Sequence, residues 1–324
     1  MVFIDRLIES VITKKNPSVV GLDTRIDYVP ESIKKACAEE FGNGAQACAE
    51  AIFRYNRKLI DSVKDVVPAV KPQAAFYELY GSRGAEVLIK TAKYARDCGL
   101  LVIIDAKRGD IGSTAESYAD AYLGAGEDAF SAGEGSYFAG DGSYFADALT
   151  VNPYLGVDGI APFINKCKLN DKGIFVLVKT SNPSSGDFQD LELANGKKLY
   201  EHAADKINEW AYGDGLLGDY GYSSVCAVVG ATYPEQAKAL RDRLKRIYFL
   251  VPGYGAQGGG ADDAAAAFDD AGLGAVVNAS RSVLCAWTHE RWNGKFSHEN
   301  FADAARAEAL RMKSEINRAI NAPD

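Results

Sequence analysis

Eight short apolar runs, each ending in polar, glycine or proline positions, punctuate the chain, with helical patterns between them. The runs are Ser18–Asp23, Val66–Lys71, Leu100–Lys107, Ala148–Asn152, Gly173–Thr180, Val225–Gly230, Ile247–Pro252 and Leu273–Asn278. Their length and β-branched content fit buried strands. Between them, apolar residues recur at steps of three and four, as in Ala45, Cys48, Ile52, Tyr55, Leu59 and Val63, the stripe of an amphipathic helix. Strands that are apolar throughout need cover on both faces, so the alternation predicts an α/β fold, a parallel sheet wrapped by helices. Eight units close most economically into a (β/α)8 TIM-type barrel, with an open doubly wound sheet as the alternative. The 324 residues read as one barrel domain, 1–324.

Local signals refine this outline. Ser113-Thr-Ala-Glu116 and Thr232-Tyr-Pro-Glu235 have the spacing of capping boxes and predict helix starts after the third and sixth strands. Phe301, Ala305, Ala309, Met312, Ile316 and Ile320 predict a closing helix. The opening segment Met1–Lys15 reads as a packing helix, because it is amphipathic, carries acids and has no small-residue cleavage site. One region is too long for a simple connection. Residues 133–139 (GEGSYFA) and 140–146 (GDGSYFA) form a tandem heptad, read as a duplicated surface-loop insertion at about 125–147.

Composition excludes several classes of function. A formal charge of −8 opposes a general nucleic-acid binder, although a few local cations suffice for a small anion. No apolar run approaches the roughly 20 residues of a membrane span. Six scattered cysteines, with no C-x-x-C pair, predict reduced buried thiols rather than a zinc site or disulfide framework. A cytoplasmic enzyme is the expectation.

The chemistry concentrates in Asp105-Ala106-Lys107-Arg108-Gly109-Asp110. Residues two apart on a strand share a face, so Asp105 and Lys107 are expected to point together into the barrel at its C-terminal end, where such barrels place their chemistry. Asp110 lies beyond the strand. Alone, the segment reads more readily as a salt-bridged strand end than as a site. Its weight comes from its neighbors: other runs end at Asp23 and Lys71, or lead into Thr180-Ser181-Asn182-Pro183, Pro252-Gly-Tyr-Gly-Ala-Gln257 and Ser280-Arg281-Ser282. Polar groups from six strands then converge on one rim. The bland reading of Asp23 or Lys71 singly is an ordinary strand-end charge, and Arg281 alone could cap a helix. His202, His289 and His298 fall on or near peripheral helical segments and read as solvated. Tyr254 is either a packing residue or a ligand contact.

Gly253-Tyr-Gly255-Ala-Gln-Gly258 also satisfies the dinucleotide pattern G-x-G-x-x-G. A dinucleotide site needs an acid at the end of the next strand, whereas the next run here ends at Asn278 with Arg281 close by. A monophosphate cradle completed by arginine fits better.

Taken in order, GLD, VKPQ, IDAKRGD, KTSNP, VPGYGAQGG and SRS resemble the orotidine 5′-phosphate decarboxylase family in its longer subtype, over nearly the whole chain. The resemblance implies decarboxylation of orotidine 5′-phosphate to uridine 5′-phosphate, without cofactor or metal, by a homodimer. Position by position, it implies that Lys71, Asp105, Lys107 and Asp110 form an alternating charge network. In that network Lys107 is the proton donor, and Asp110 reaches the neighboring subunit's site. Asp23 and Lys71 are then ribose contacts, Thr114 a contact across the dimer, Ser181 a pyrimidine contact, Gln257 and Arg281 phosphate contacts, and Pro252 a loop residue bordering the base. The physics is coherent: loss of carbon dioxide from C6 leaves an in-plane electron pair that the π system cannot delocalize, so a fixed ammonium must oppose it. Two other readings keep the fold. One is a metal-dependent sugar-phosphate decarboxylase or aldolase relative; the other is a catalytically silent nucleotide-binding barrel.

Overall fold

The computed structural model describes residues 1–124, 146–255 and 259–321. The eight runs are parallel strands in one closed barrel, in sequence order: β1 (Ser18–Leu22), β2 (Ala69–Pro72), β3 (Leu101–Arg108), β4 (Ala148–Val151), β5 (Gly173–Lys179), β6 (Ser223–Val229), β7 (Ile247–Val251) and β8 (Ala275–Ala279). β8 pairs back onto β1, with Ser18 opposite Val277, which rules out the open sheet.

Side-chain alternation divides the core in two. Val20, Val70, Val102, Ile104 and Leu149 face outward into the large cluster under the helices, while Val19, Ala69, Leu101, Ile103 and Ala148 fill the barrel interior. The long outer helices include Ala45–Val63, Gly81–Asp97, Leu199–Trp210 and Phe301–Ile320. The opening segment is a helix, Phe3–Lys14, and its Phe3, Ile4 and Leu7 plug the N-terminal mouth of the barrel. Phe3 packs edge-on against Phe175, with ring centroids 6.2 Å apart. Gly173 makes room for it, since a Cβ there would lie 2.1 Å from Phe3 Cδ1.

Several local expectations need correction. Neither predicted capping box forms: the helix Gly112–Leu123 has Ile111 at its N-cap, and Pro234–Arg243 has Tyr233. Ser113 lies inside the first turn of its helix rather than at the N-cap, and Thr232 Oγ1 donates to the Ser181 carbonyl across the fold. All six cysteines are free, but Cys48 and Cys98 are only half-buried. His289 and His298 are hydrogen-bonded to the carbonyls of Ser282 and Tyr28 rather than solvated, and His298 stacks on Trp287. The tandem heptad lies, but for Ala146, outside the described residues. Among the described residues no helix is long and apolar enough to cross a membrane.

Candidate active site

The inward rows of the barrel change from apolar to polar at their C-terminal ends. Continuing each row by two residues from the interior cluster leads to Lys71 after Ala69, Asp105 after Ile103, Thr150 after Ala148 and Asn278 after Val276. These side chains, with Asp23 and the apolar Leu177, Val228 and Leu250, form the floor of a cavity of about 600 Å³. Its walls are Lys107, Thr180, Ser181, Asn182, Pro252 and Arg281. Six of the expected site residues, Asp23, Lys71, Asp105, Lys107, Ser181 and Arg281, therefore line one cavity, and Pro252 joins them.

Its floor carries a chain of charges. Lys71 Nζ donates to Asp105 Oδ2 at 2.7 Å, and Lys107 Nζ donates to Asp105 Oδ1 at 2.6 Å. Asp23 Oδ1 lies 4.0 Å from Lys71 Nζ. Burial on its own would raise the Asp105 pKa, but Lys71 and Lys107 outweigh it and hold the carboxyl well below the usual range. Burial likewise works against the charge on Lys71, and Asp105 with Asp23 reverses that and raises its pKa. Asp105 therefore stays ionized between two cations. Asp23 Oδ1 and Asn278 Oδ1 are buried with no hydrogen-bond partner among the described residues. Both residues line the cavity, so each oxygen can accept a hydrogen bond there.

Lys107 reaches the cavity by an irregular route. Ile104 pairs with Leu149 and Arg108 with Val151, so four steps along β3 face two along β4. Within this bulge Lys107 has a left-handed backbone, φ 47°. Ala106 N and Lys107 N both donate to Thr150 Oγ1, at 3.1 and 2.9 Å. Arg108 turns away from the cavity to Glu78 and Tyr122, tying the strand end to its surroundings.

The segment after β5 is held from behind. A second register shift lies between Leu177 and Lys179, and Lys179 is buried outside the cavity, with Nζ 2.8 Å from Asp190 Oδ2. Gln189 Oε1 accepts from Thr180 N at 2.9 Å, and Thr180 Oγ1 donates to Asn182 Oδ1. Thr180, Asn182, Gln189, Gln73, Tyr28 and Phe76 also line the cavity, although none was assigned a site role from sequence. Gln73 stood inside a quoted motif, VKPQ, and Thr180 and Asn182 inside KTSNP, whereas Gln189, Tyr28 and Phe76 carried no local signal.

Two expected site residues lie elsewhere. Asp110 and Thr114 are not among the cavity's lining residues, and Thr114 is exposed. Gln257 falls outside the described residues. Tyr254 lines the cavity, yet its hydroxyl donates to Glu315 Oε2 at 2.9 Å, which makes it a loop-packing residue. No histidine lines the cavity, and no group of three His, Cys, Asp or Glu side chains suited to a metal occurs among the described residues.

Comparison with known proteins adds an independent line. A family model described as orotidine 5′-phosphate decarboxylase / HUMPS family matches residues 50–290. The chain is 42% identical over 319 residues to an orotidine 5′-phosphate decarboxylase of Caldicellulosiruptor bescii, covering 98% of this chain and 99% of that protein. It is also 42% identical over 316 residues to one of Rhodopirellula baltica, with 98% and 99% coverage. Among solved structures, a putative orotidine 5′-phosphate decarboxylase of Streptomyces avermitilis is 31% identical, with a TM-score of 0.72, over 99% of this chain and 96% of that one.

Proposed function

The chain belongs to the orotidine 5′-phosphate decarboxylase / HUMPS family and is a carboxy-lyase that converts orotidine 5′-phosphate to uridine 5′-phosphate and carbon dioxide, and we propose that Lys107 is its proton donor. The observation that carries this reading is the Lys71–Asp105–Lys107 chain, with contacts of 2.7 and 2.6 Å, at the base of a mononucleotide-sized cavity. The C6–carboxylate bond breaks, its electron pair stays on C6, and an N–H proton of Lys107 passes to that carbon. No redox partner is needed for this balance, and the reading assigns no cofactor or metal. An ammonium fixed before reaction stabilizes the developing carbanion without reorganizing as charge appears. Asp105 holds that ammonium in place and sets a negative charge where the substrate carboxylate must sit, so repulsion is relieved on decarboxylation.

The remaining assignments are those that the family resemblance implies. Asp23 and Lys71 contact ribose hydroxyls, Ser181 the pyrimidine, and Pro252 borders the base. Arg281 and Gln257 take the phosphate, whose binding far from C6 supplies energy for positioning. Against the rival sugar-phosphate reading, the near-full-length relatives at 42% identity are orotidine 5′-phosphate decarboxylases, which favors the nucleotide.

The enzyme is read as a homodimer, with Asp110 and Thr114 completing the neighboring site. Their separation from their own cavity supports this, as do the exposed Ile111, Tyr154, Leu155, Val157 and Phe188 on the segments after β3, β4 and β5. An apolar groove of about 980 Å³, lined in part by Tyr154, Val157 and Phe188, continues that surface. Free cysteines support a cytoplasmic location.

The test is an ultraviolet assay of orotidine 5′-phosphate decarboxylation by the wild type and Lys107→Ala, each with and without a chelator. Turnover that resists the chelator and falls at least about 1,000-fold in the variant is expected. Undiminished turnover by Lys107→Ala would overturn the mechanism, and loss on chelation would overturn its metal independence.

A further inference from the structure

We propose that Thr150 is a positioning residue that sets the geometry of the Asp105 and Lys107 pair, a role that rests on the proton-donor reading of Lys107. The bulge creates a specific difficulty. Four steps of β3 oppose two of β4, so the amides of Ala106 and Lys107 fall out of step with the β4 carbonyls. Amides left unpaired in this part-buried place are costly. Thr150, 1% exposed, supplies the missing acceptor for both, at 3.1 and 2.9 Å.

A hydroxyl has one donor and two acceptor sites, and Thr150 uses all three. Its proton goes to Asp105 Oδ1, 3.0 Å away, the same oxygen that receives Lys107 Nζ at 2.6 Å. One atom therefore fixes the backbone from which Lys107 projects and the carboxylate that aims its ammonium. The left-handed conformation of Lys107, φ 47°, is unfavorable for a side-chain-bearing residue and persists only where its surroundings over-determine it. The two hydrogen bonds to Thr150 provide that determination. Because residues 148 and 150 share the inward face, the β-branched side chain stands directly beneath the bulge, with its rotamer restricted by the branch.

The removal of this hydroxyl should misplace the ammonium by a fraction of an ångström to an ångström while leaving the nucleotide's other contacts intact. Such a displacement lowers chemical rate rather than binding. Thr150→Val, close to isosteric, is expected to lower kcat about 10- to 100-fold with little change in the affinity for uridine 5′-phosphate. Thr150→Ser, which keeps the oxygen, is expected to stay within about threefold of wild type. Thr150→Cys, similar in size but a poor acceptor, should resemble Val, and it serves if the Val protein does not fold.

The decisive measurements are kcat and KM for each variant, the dissociation constant for uridine 5′-phosphate, and the thermal midpoint. A merely structural role would lower the midpoint and leave kcat of the folded enzyme unchanged. The proposal is overturned if Thr150→Val or Thr150→Cys keeps kcat within about threefold of wild type, if Ser loses as much as Val, or if the loss lies wholly in KM. Lys107→Ala assayed in parallel separates the two readings. An active Lys107→Ala removes the proton donor itself, whereas an inactive one beside an active Thr150→Val removes only the role of Thr150.

Discussion

Lys71 and Asp105 form a closed ion pair, Nζ to Oδ2 2.7 Å, with side chains 4% and 11% exposed, and Lys107 shares the same carboxylate. Breaking such a pair from one side leaves a buried charge without its partner, a larger penalty than the net worth of the pair. Asp105→Asn leaves Lys71 with only Asp23, at 4.0 Å. The variant is expected to lose about 3 kcal/mol of stability in urea denaturation and at least about 100-fold in kcat. The acid side carries a sign. The folded pKa of Asp105 lies below its ordinary value of 3.8, so its contribution is fully present above that value and is lost as pH falls below it. The stability difference between wild type and Asp105→Asn should therefore be constant near neutrality and shrink below about pH 4. A difference that shrinks between pH 7 and pH 5 instead would contradict the assignment.

Lys172, at the far end of the barrel, gives linkage of the same sign in a higher pH window. Its ammonium is buried, donates to the Ala146 carbonyl at 2.7 Å, and has its pKa pushed down from 10.5 to about 8, chiefly by burial and in part against the pull of Asp147. Between those two values the unfolded chain binds more protons than the folded one, so this residue makes stability rise with pH. Lys172→Met should abolish that component. Denaturant midpoints at about pH 7 and about pH 10 should change in wild type relative to the variant in the stabilizing direction, and no relative change would refute the linkage.

Asp110 and Thr114 stand apart from the cavity formed by their own chain. If they complete a neighbor's site, Lys107→Ala and Asp110→Ala are each nearly inactive alone but complement one another. Random exchange of equimolar subunits makes half the dimers mixed, each with one intact site, so activity should return to about a quarter of wild type. Exchange verified by mass, with no regain of activity, would place Asp110 in its own subunit's chemistry or outside the site altogether.

Much of this was legible in the chain because it depends on local periodicity. The inward row 101, 103, 105 on β3 and the row 69, 71 on β2 follow from alternation alone, and they bring Asp105 against Lys71. The same rule applied to β4 and β8 would have found Thr150 and Asn278, which carry no motif of their own but follow Ala148 and Val276 on the inner face. The capping boxes failed for a different reason. Their spacing was correct, but the helices begin at Gly112 and Pro234, so that Ser113 and Thr232 are not their N-caps, and the Thr232 hydroxyl donates to the Ser181 carbonyl.

The sequence by itself determined the eight-unit alternation, the inward faces of the strands and the order of polar groups around one rim, because each is set by neighbors one to four positions away. Only the tertiary structure decided where alternation breaks. The bulge that turns Lys107 to φ 47° is held by a hydroxyl 43 residues later, and the register shift after Leu177 sends Lys179 outward to Asp190 rather than into the cavity. A period of two assumes an unbroken ladder. Whether the ladder breaks depends on what the adjacent strand offers in place of a carbonyl, and closure of the barrel brings that strand into place.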